Sequence, residues 1–436
     1  MARSAIQHGT IADQTAGDEA AALGLRRTGA LADVLGRPQD ATTIVHVAGT
    51  KGKGSTVVFI SAMLVAAGHR TGRYTSPHLA KLTERITIDE LDLDDAAFAE
   101  VADAVLAAAD QLERERPELG RVNALEILFL MALVAFRVGG CRVAVIEVGI
   151  GGRLDTTNIL NPAVSVITTL DLEHTAILGN TLAEIANEKA GIIKPGRPVV
   201  VASQAEEAMA VIRARAEAVG SWLTVVERPP DAQLDGQLGL RGPHQMLNAQ
   251  LAMTALSVLA DADPDFVVGP EERLAGLHDA WLPGRFEIVP AELVRRAADD
   301  RPGMPTAVVL DGAHTPRAAT ALRATLEAAY PAVAQTITIC GFALDKDARA
   351  FLDALQPAVI LPVMAASPRA VPIEQIAAIA RELAIGVREG PVTTAAALRW
   401  LLQAGAGDGL DLILVTGSFM VVAEARATLA LDDRRP

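Results

Sequence analysis

Four short runs in the first half of the chain, TTIVHVAG, CRVAVIEVG, AVSVITTL and RPVVVAS, are apolar with almost no alternation. A strand with one wet face alternates apolar and polar side chains, so a strand apolar throughout must be covered on both faces. Longer Ala- and Leu-rich segments, TVVFISAMLVAAG and TLAEIANEKAGIIK among them, separate these runs and read as helices. Strands of this kind alternating with helices predict parallel βαβ units. The pattern restarts after about residue 285 with TAVVLDGAH, QTITICGFA, PAVILPVMAA and LDLILVTGS. Two α/β domains are therefore expected, 1–284 and 285–436, joined near Pro283-Gly284 in AWLPGRFEIV. The segment VRRAADDRPGMP, 294–305, is expected to be an exposed loop.

Half of the 436 residues are hydrophobic but only 3% are aromatic, so the cores must be built from Ala, Val, Leu and Ile. The net charge of −14 argues against a nucleic-acid surface, which would cluster Lys and Arg. Any anionic substrate must be drawn in by local positive charge. Two cysteines, Cys141 and Cys340, suit a reduced compartment better than a disulfide scaffold. The start, MARSAIQHGTIADQTAGDEAA, has no apolar core of a signal peptide. The longest apolar run, ILFLMALVAF, is too short to span a bilayer. A cytoplasmic protein with no nucleic-acid or membrane partner is expected.

The stretch VAGTKGKGST, Val47 to Thr56, follows the first run and precedes a helical segment. Strand, glycine-rich loop and helix N-terminus in that order form an anion site, because backbone N–H groups and the helix dipole converge there. Gly49, Thr50, Lys51, Gly52, Lys53, Gly54 and Ser55 are the candidate nucleotide-binding residues, with Lys53 as a charge for the terminal phosphates. The spelling is not the common G-x-x-x-x-G-K-[ST], since a glycine separates Lys53 from Ser55. A flexible glycine turn with a solvated lysine is the bland alternative.

Glu147 ends an apolar run just before the glycine-rich VGIGGRLDTTN. A carboxylate there is costly unless it is paired or holds a metal, and ligands of parallel sheets gather at the carboxyl ends of strands. A metal or catalytic role stands against a buried ion pair. The next strand end, TTLDLEHTAILG, offers Asp171, Glu173 and His174. His174 reads equally as a ligand or as a core or surface histidine. Ser76 and His78 in RYTSPHL read alone as parts of a turn, and Lys189 in NEKAGIIKPG as a surface or ion-paired lysine. Mg²⁺ prefers oxygen ligands, so Glu147, a serine hydroxyl and phosphates would suit it.

In order along the chain, LGLRRTGALADVLGRPQ, HVAGTKGKGST, GRYTSPHLAKLTERITID, EVGIGGRLDTTNI, LDLEHTAILGNTLAEIANEKAGIIKPG, GPHQMLNAQLA, LPGRFE, LDGAHTPRAA, DKD, SPRA and VTGSFMVVAEA resemble the folylpolyglutamate synthase/dihydrofolate synthase family of the Mur ligase superfamily. The glycine after Lys53 belongs to that family's loop. The resemblance implies a P-loop-containing, mostly parallel-sheet N-terminal domain and a smaller Rossmann-like α/β C-terminal domain, with the active site between them. It also implies roles. Ser76 and Glu147 would hold one Mg²⁺, and Glu147 with His174 a second. Lys189 would carry a carbamate, the CO₂ adduct that turns a cation into an oxygen ligand. Lys53, Glu147, His174 and Lys189 form the catalytic set. Asn248 and Arg285 would touch ATP, Asp311 the ribose, and His314 would lie near the nucleotide. Leu23, Gly24, Leu25, Arg26, Asn123, Glu126, Leu154, Asp155 and Thr156 would face the pterin. Lys51 and Thr315 depart from the GTNGKGS and DGAHNP of many bacterial members but resemble the eukaryotic enzymes, and CGFALDKD stands where FGALxDKD is usual.

The implied chemistry is ATP-dependent. A carboxylate is phosphorylated to an acyl phosphate, which the amine of L-glutamate attacks. Dihydropteroate and a reduced folate are the expected acceptors, for a bifunctional monomer using two Mg²⁺ ions. The rival from another class is a P-loop switch that couples hydrolysis to partner binding, which would need a GK[ST] loop and a strand-end Asp. Neither is evident in this sequence.

Overall fold

The computed structural model describes residues 17–227, 236–298, 305–404 and 410–431. The opening segment read for a signal peptide falls largely in 1–16, and the middle of the expected loop in 299–304; both lie outside the described residues. The fold is α/β and divides into two compact units, Met1–Gly239 with Gln245–Ala280, and Leu240–His244 with Trp281–Pro436.

The first unit is built on eight strands: β1 Thr43–Ala48, β2 Thr71–Tyr74, β3 Ile86–Ile88, β4 Leu91–Asp92, β5 Val143–Glu147, β6 Val164–Ile167, β7 Val199–Ala202 and β8 Leu223–Val226. Their order is β4-β3-β2-β5-β1-β6-β7-β8. From β2 through β8 in that order the neighbours run parallel, and only β3 is reversed, pairing antiparallel with both β2 and β4. Strand β1 sits between β5 and β6, the point where successive crossovers leave on opposite sides. Parallel sheets bind ligands outside the carboxyl ends of the strands at such a switch point.

The apolar runs are buried as both-face coverage requires. Val45, Val47, Val143, Val145, Val199 and Val201 are all fully inaccessible. On one face lies the helix Ala124–Val138, with every residue from Ile127 to Phe136 buried. It packs on β2 and is covered in turn by the helices Asp18–Val34 and Asp95–Glu115. A helix that is apolar all round needs this middle-layer position. Among the described residues no helix is long and apolar enough to cross a membrane.

The second unit has six strands, β9 Glu287–Ile288, β10 Ala307–Leu310, β11 Thr336–Cys340, β12 Val359–Pro362, β13 Gly386–Val387 and β14 Leu412–Thr416. Their order is β13-β12-β11-β14-β10-β9, parallel except for β9.

Two local expectations need correction. The segment expected as a loop from Val294 begins as the end of a helix, Ala291–Ala297, with Val294 buried. Glu292 in its first turn and Arg295 and Arg296 in its last complement the helix dipole. The helix expected through TLAEIANEKAGIIK runs only over Leu182–Ala190, and Gly191 caps it. Ile192 and Ile193 then leave the helix to fill the core beneath the sheet.

Candidate active site

The glycine-rich stretch leaves β1 and enters the helix Lys53–Ala66 at Gly52. Gly52 has φ 87° and Gly49 φ 152°. A side chain would also have no room, since a Cβ on Gly49 would lie 1.8 Å from Thr168 Oγ1, and one on Gly52 2.2 Å from Asn248 Oδ1. The loop is fastened to the end of β6. Thr50 N and Lys51 N donate to Thr169 O at 2.9 and 3.0 Å, and Thr168 Oγ1 donates to Lys51 O at 2.8 Å. The Lys51 ammonium meets Glu173 Oε1 at 3.0 Å. That pairing holds the Glu173 carboxyl below its usual range against the opposing effect of burial. Lys53 is the first residue of the helix, with Gly54 and Ser55 in its first turn.

Glu147, the last residue of β5, is 4% exposed. Its Oε2 accepts Ser76 N at 3.0 Å, and its Oε1 lies 3.9 Å from Lys53 Nζ. Phosphate-loop lysine, strand-end carboxylate and Ser76 thus converge at one place. His78, two residues on, accepts from Arg85 Nε at 2.9 Å, and burial together with that guanidinium lowers its pKa. His174 is exposed at the start of a short helix, Thr175–Leu178, with a left-handed backbone (φ 54°).

Lys189 is not the surface residue that its helical setting suggests. It is 4% exposed, and its Nζ donates to Gly49 O at 2.8 Å from under the loop. Burial first, and then the Lys53 charge, lower its pKa to about 7. Asn248, on the helix Gln245–Ala262, lies against Gly52 and donates to Gln245 Oε1 at 2.8 Å. Gln245 was not singled out from the sequence.

Leu23, Gly24, Leu25 and Arg26 lie on the helix Asp18–Val34, with Gly24 buried and Arg26 exposed. Asn123 caps the helix Ala124–Val138 in a reciprocal box with Glu126. Both Glu126 oxygens also face Arg27, whose Nε and Nη2 lie 2.8 and 2.5 Å away. Arg27 escaped the sequence reading because its partner is 99 residues distant. Leu154, Asp155 and Thr156 form the turn after the glycine-rich stretch, where Asp155 is half-buried and desolvation of its carboxyl raises its pKa.

In the second unit, Arg285, Asp311 and His314 gather past the end of β10. Asp311 accepts Phe286 N at 2.7 Å and Ala313 N at 2.8 Å. Burial raises its pKa against the opposing pull of Arg285. Phe419 lies between the other two: Arg285 Cζ is 4.6 Å from its ring centre, and the His314 ring 5.5 Å. Phe419 also escaped the sequence reading, since an aromatic at a helix start reads as ordinary core.

The residues of the first unit fit a magnesium–nucleotide pair. A helix N-terminus with glycine-only geometry supplies backbone N–H groups, and Glu147 supplies a buried oxygen donor beside Ser76. Among the described residues no three His, Cys, Asp or Glu side chains form a ready metal cage. Mg²⁺ held by one or two carboxylates and by phosphates does not need one.

A phosphate loop of this kind, paired with a carboxyl-terminal unit whose residues 284–419 match the Mur ligase glutamate ligase domain, defines an ATP-dependent amide-forming ligase. The chain is 34% identical over 371 residues to the folylpolyglutamate synthase of Lacticaseibacillus casei, covering 80% of this chain and 82% of that one. It is 33% identical over 460 residues to the dihydrofolate synthase/folylpolyglutamate synthase of Mycobacterium tuberculosis, covering 94% and 90%. The solved M. tuberculosis folylpolyglutamate synthase complexed with ADP and AMPPCP matches with a TM-score of 0.81 at 29% identity, over 94% of this chain and 96% of that one. E. coli FolC in complex with DHPP and ADP matches at 0.75 and 28%, over 93% and 92%. The chain belongs to the folylpolyglutamate synthase/dihydrofolate synthase family.

Proposed function

We propose that this chain joins L-glutamate to the carboxylate of dihydropteroate and of a reduced folate, in both cases through an acyl phosphate made from ATP. The observation that carries the proposal is the convergence of Lys53, Glu147 and Ser76 at the mouth of the glycine loop, with Lys189 beneath it. A carboxylate is a poor electrophile, and phosphorylation gives it a leaving group. Transfer of the phosphoryl group depends on positioning and on neutralising charge. The loop N–H groups and Lys53 would hold the phosphates. Glu147 and Ser76 would hold one Mg²⁺, and Glu147 with His174 a second; the ions supply charge neutralisation on the phosphate oxygens. Glutamate then attacks as the neutral amine, and phosphate leaves with the amide formed. Arg285, Asp311, His314 and Asn248 are assigned to ATP, and the surfaces around Leu23–Arg26 and Leu154–Thr156 to the pterin. Asn123 and Glu126 are kept on that side through the turn they brace.

Lys189 is proposed to act as its carbamate. Only a neutral amine attacks CO₂, and a pKa of about 7 makes a large share of this buried amine neutral at physiological pH. The protein is proposed to work as a cytoplasmic monomer whose working domains are 1–284 and 285–436.

The test is phosphate release from the purified protein with MgATP and L-glutamate, run separately with dihydropteroate and with tetrahydrofolate. Turnover with both supports the bifunctional reading. Turnover with tetrahydrofolate alone reduces it to a polyglutamylase, with Lys51 and Thr315 the first residues to exchange. Release without acceptor and glutamate would favour the P-loop switch. Omission of CO₂ should lower the rate of the wild type and leave Lys189→Met unmoved.

A further inference from the structure

Behind the turn that follows Glu147, three side chains form a line. His46, in the middle of β1, is wholly buried, and its Nε2 lies 2.8 Å from Thr157 Oγ1. Thr157, also buried, donates its hydroxyl to Asp155 Oδ1, which accepts Thr157 N at 3.0 Å as well. Asp155 Oδ2 accepts Ile150 N at 3.1 Å. The line therefore runs from the central strand to both ends of the 150–157 turn.

With Asp155 ionised, as the N–H groups of Ile150 and Thr157 and the Thr157 hydroxyl favour against burial, counting protons fixes the tautomer. Threonine has one hydroxyl hydrogen, and Asp155 receives it. His46 must supply the hydrogen between Nε2 and Thr157, so Nδ1 carries a bare lone pair. Nδ1 has no partner among the described residues. Burial, helped by the Lys194 charge, holds the imidazole neutral with a pKa of about 3. His46 is thus a donor of fixed direction rather than an acid or base. A leucine at this strand position, between Val45 and Val47, would match its neighbours and leave no orphaned atom. The orphaned nitrogen needs a compensating use, and the hydrogen bond to Thr157 is the one the structure offers.

We propose that His46 is a positioning residue for the pteroate or folate acceptor: through Thr157 it fixes the Asp155 carboxylate and the turn that presents Leu154 and Thr156. The proposal rests on the assignment of that turn to the pterin side. Its test uses the full chain with His46→Leu, His46→Gln, Thr157→Val and the double variant His46→Leu/Thr157→Val. Breaking the line should raise KM for dihydropteroate about tenfold in His46→Leu and in Thr157→Val, and leave KM for ATP within about twofold. The double variant should be no worse than either single one, because one line is cut in both. His46→Gln carries an amide nitrogen at the reach of Nε2 and should restore KM. Equal rises for both substrates, or a wild-type KM in His46→Leu, would overturn the proposal.

Two measurements do not depend on turnover. Nitrogen-15 NMR of the wild type should find the proton on Nε2 across the neutral range, and a proton on Nδ1 would overturn the proposal. Hydrogen exchange at amides 150–157 should be faster in Thr157→Val than in wild type, and unchanged exchange would overturn it. If the wild type uses neither acceptor, the functional reading fails by itself while these two measurements still decide the role of His46.

Discussion

The pairing of Arg27 with Glu126 offers a stability test whose size can be worked from the structure. Glu126 is wholly buried and accepts Asn123 N at 3.1 Å and Asn123 Nδ2 at 3.0 Å, as well as both Arg27 nitrogens. The Arg27 side chain is 11% exposed, and its Nη1 donates to Leu119 O at 2.9 Å. Arg27→Met takes both guanidinium contacts from a buried carboxylate, which should cost about 3–5 kcal/mol. Glu126→Met strands the guanidinium instead, and the lost capping box adds about 1 kcal/mol to the same penalty. The double variant Arg27→Met/Glu126→Met leaves no charge behind. The two Asn123 bonds and the Arg27 bond to Leu119 O are missing, about 2–3 kcal/mol. It should therefore be more stable than either single variant by about 2 kcal/mol. Urea unfolding followed by far-ultraviolet circular dichroism measures this as midpoints. A double variant no more stable than the weaker single one would refute the reasoning. The same proteins separate bracing from contact: restored stability with restored turnover makes Glu126 a brace, whereas restored stability without turnover makes it a substrate contact.

Three further outcomes are expected. Glu147→Gln should abolish phosphate release with all substrates present while its dichroism spectrum matches wild type; near-normal turnover would remove Glu147 from the metal site. Lys51→Met and Glu173→Gln should each raise KM for ATP by up to about fivefold, a modest effect for a partly exposed pair, with the double variant equal to either; additive effects would mean the pair does not act as a unit. The His46 pKa is about 3 in the fold against an ordinary 6.5, so its stabilising contribution is complete above 6.5 and is lost as pH falls toward 3. Over that window the unfolded chain binds a proton that the folded chain does not, so stability should fall by up to about 1.4 kcal/mol per pH unit. His46→Gln should lack this slope in urea titrations at stepped pH, and parallel curves for the two proteins would refute the assignment.

Strands β1, β5, β6, β7, β10, β11, β12 and β14 were legible in the sequence because burial on both faces leaves continuous apolar runs, whereas the parallel β8 was not read. Strands β3, β4, β9 and β13 were not, since two or three residues at a sheet margin carry no period. The glycine loop and Glu147 were legible by position, as a strand end is where a carboxylate or a phosphate cradle has chemical use. Lys189 was not: its helix has ordinary polar residues, and its burial comes from packing under a loop 140 residues earlier. Arg27 and Phe419 were missed for a related reason, because what makes each matter is a partner that only the folded chain brings near. His46 sat in plain view within an apolar strand, and the polar residue in that setting was the available signal.

The place of β1 between β5 and β6 has a consequence during synthesis. Thr43 pairs with Val143, and Val45 with Val164, so the central strand has no lasting neighbour until about a hundred further residues have left the ribosome. At about 5–20 residues per second that wait is roughly 5–20 s. Throughout it, a nascent strand with two open edges and two oily faces is on offer to any other such strand. Holding chaperones at the exit tunnel, cooler growth and the choice of synonymous codons between β1 and β5 should therefore govern the yield of soluble enzyme more than any change at its catalytic residues.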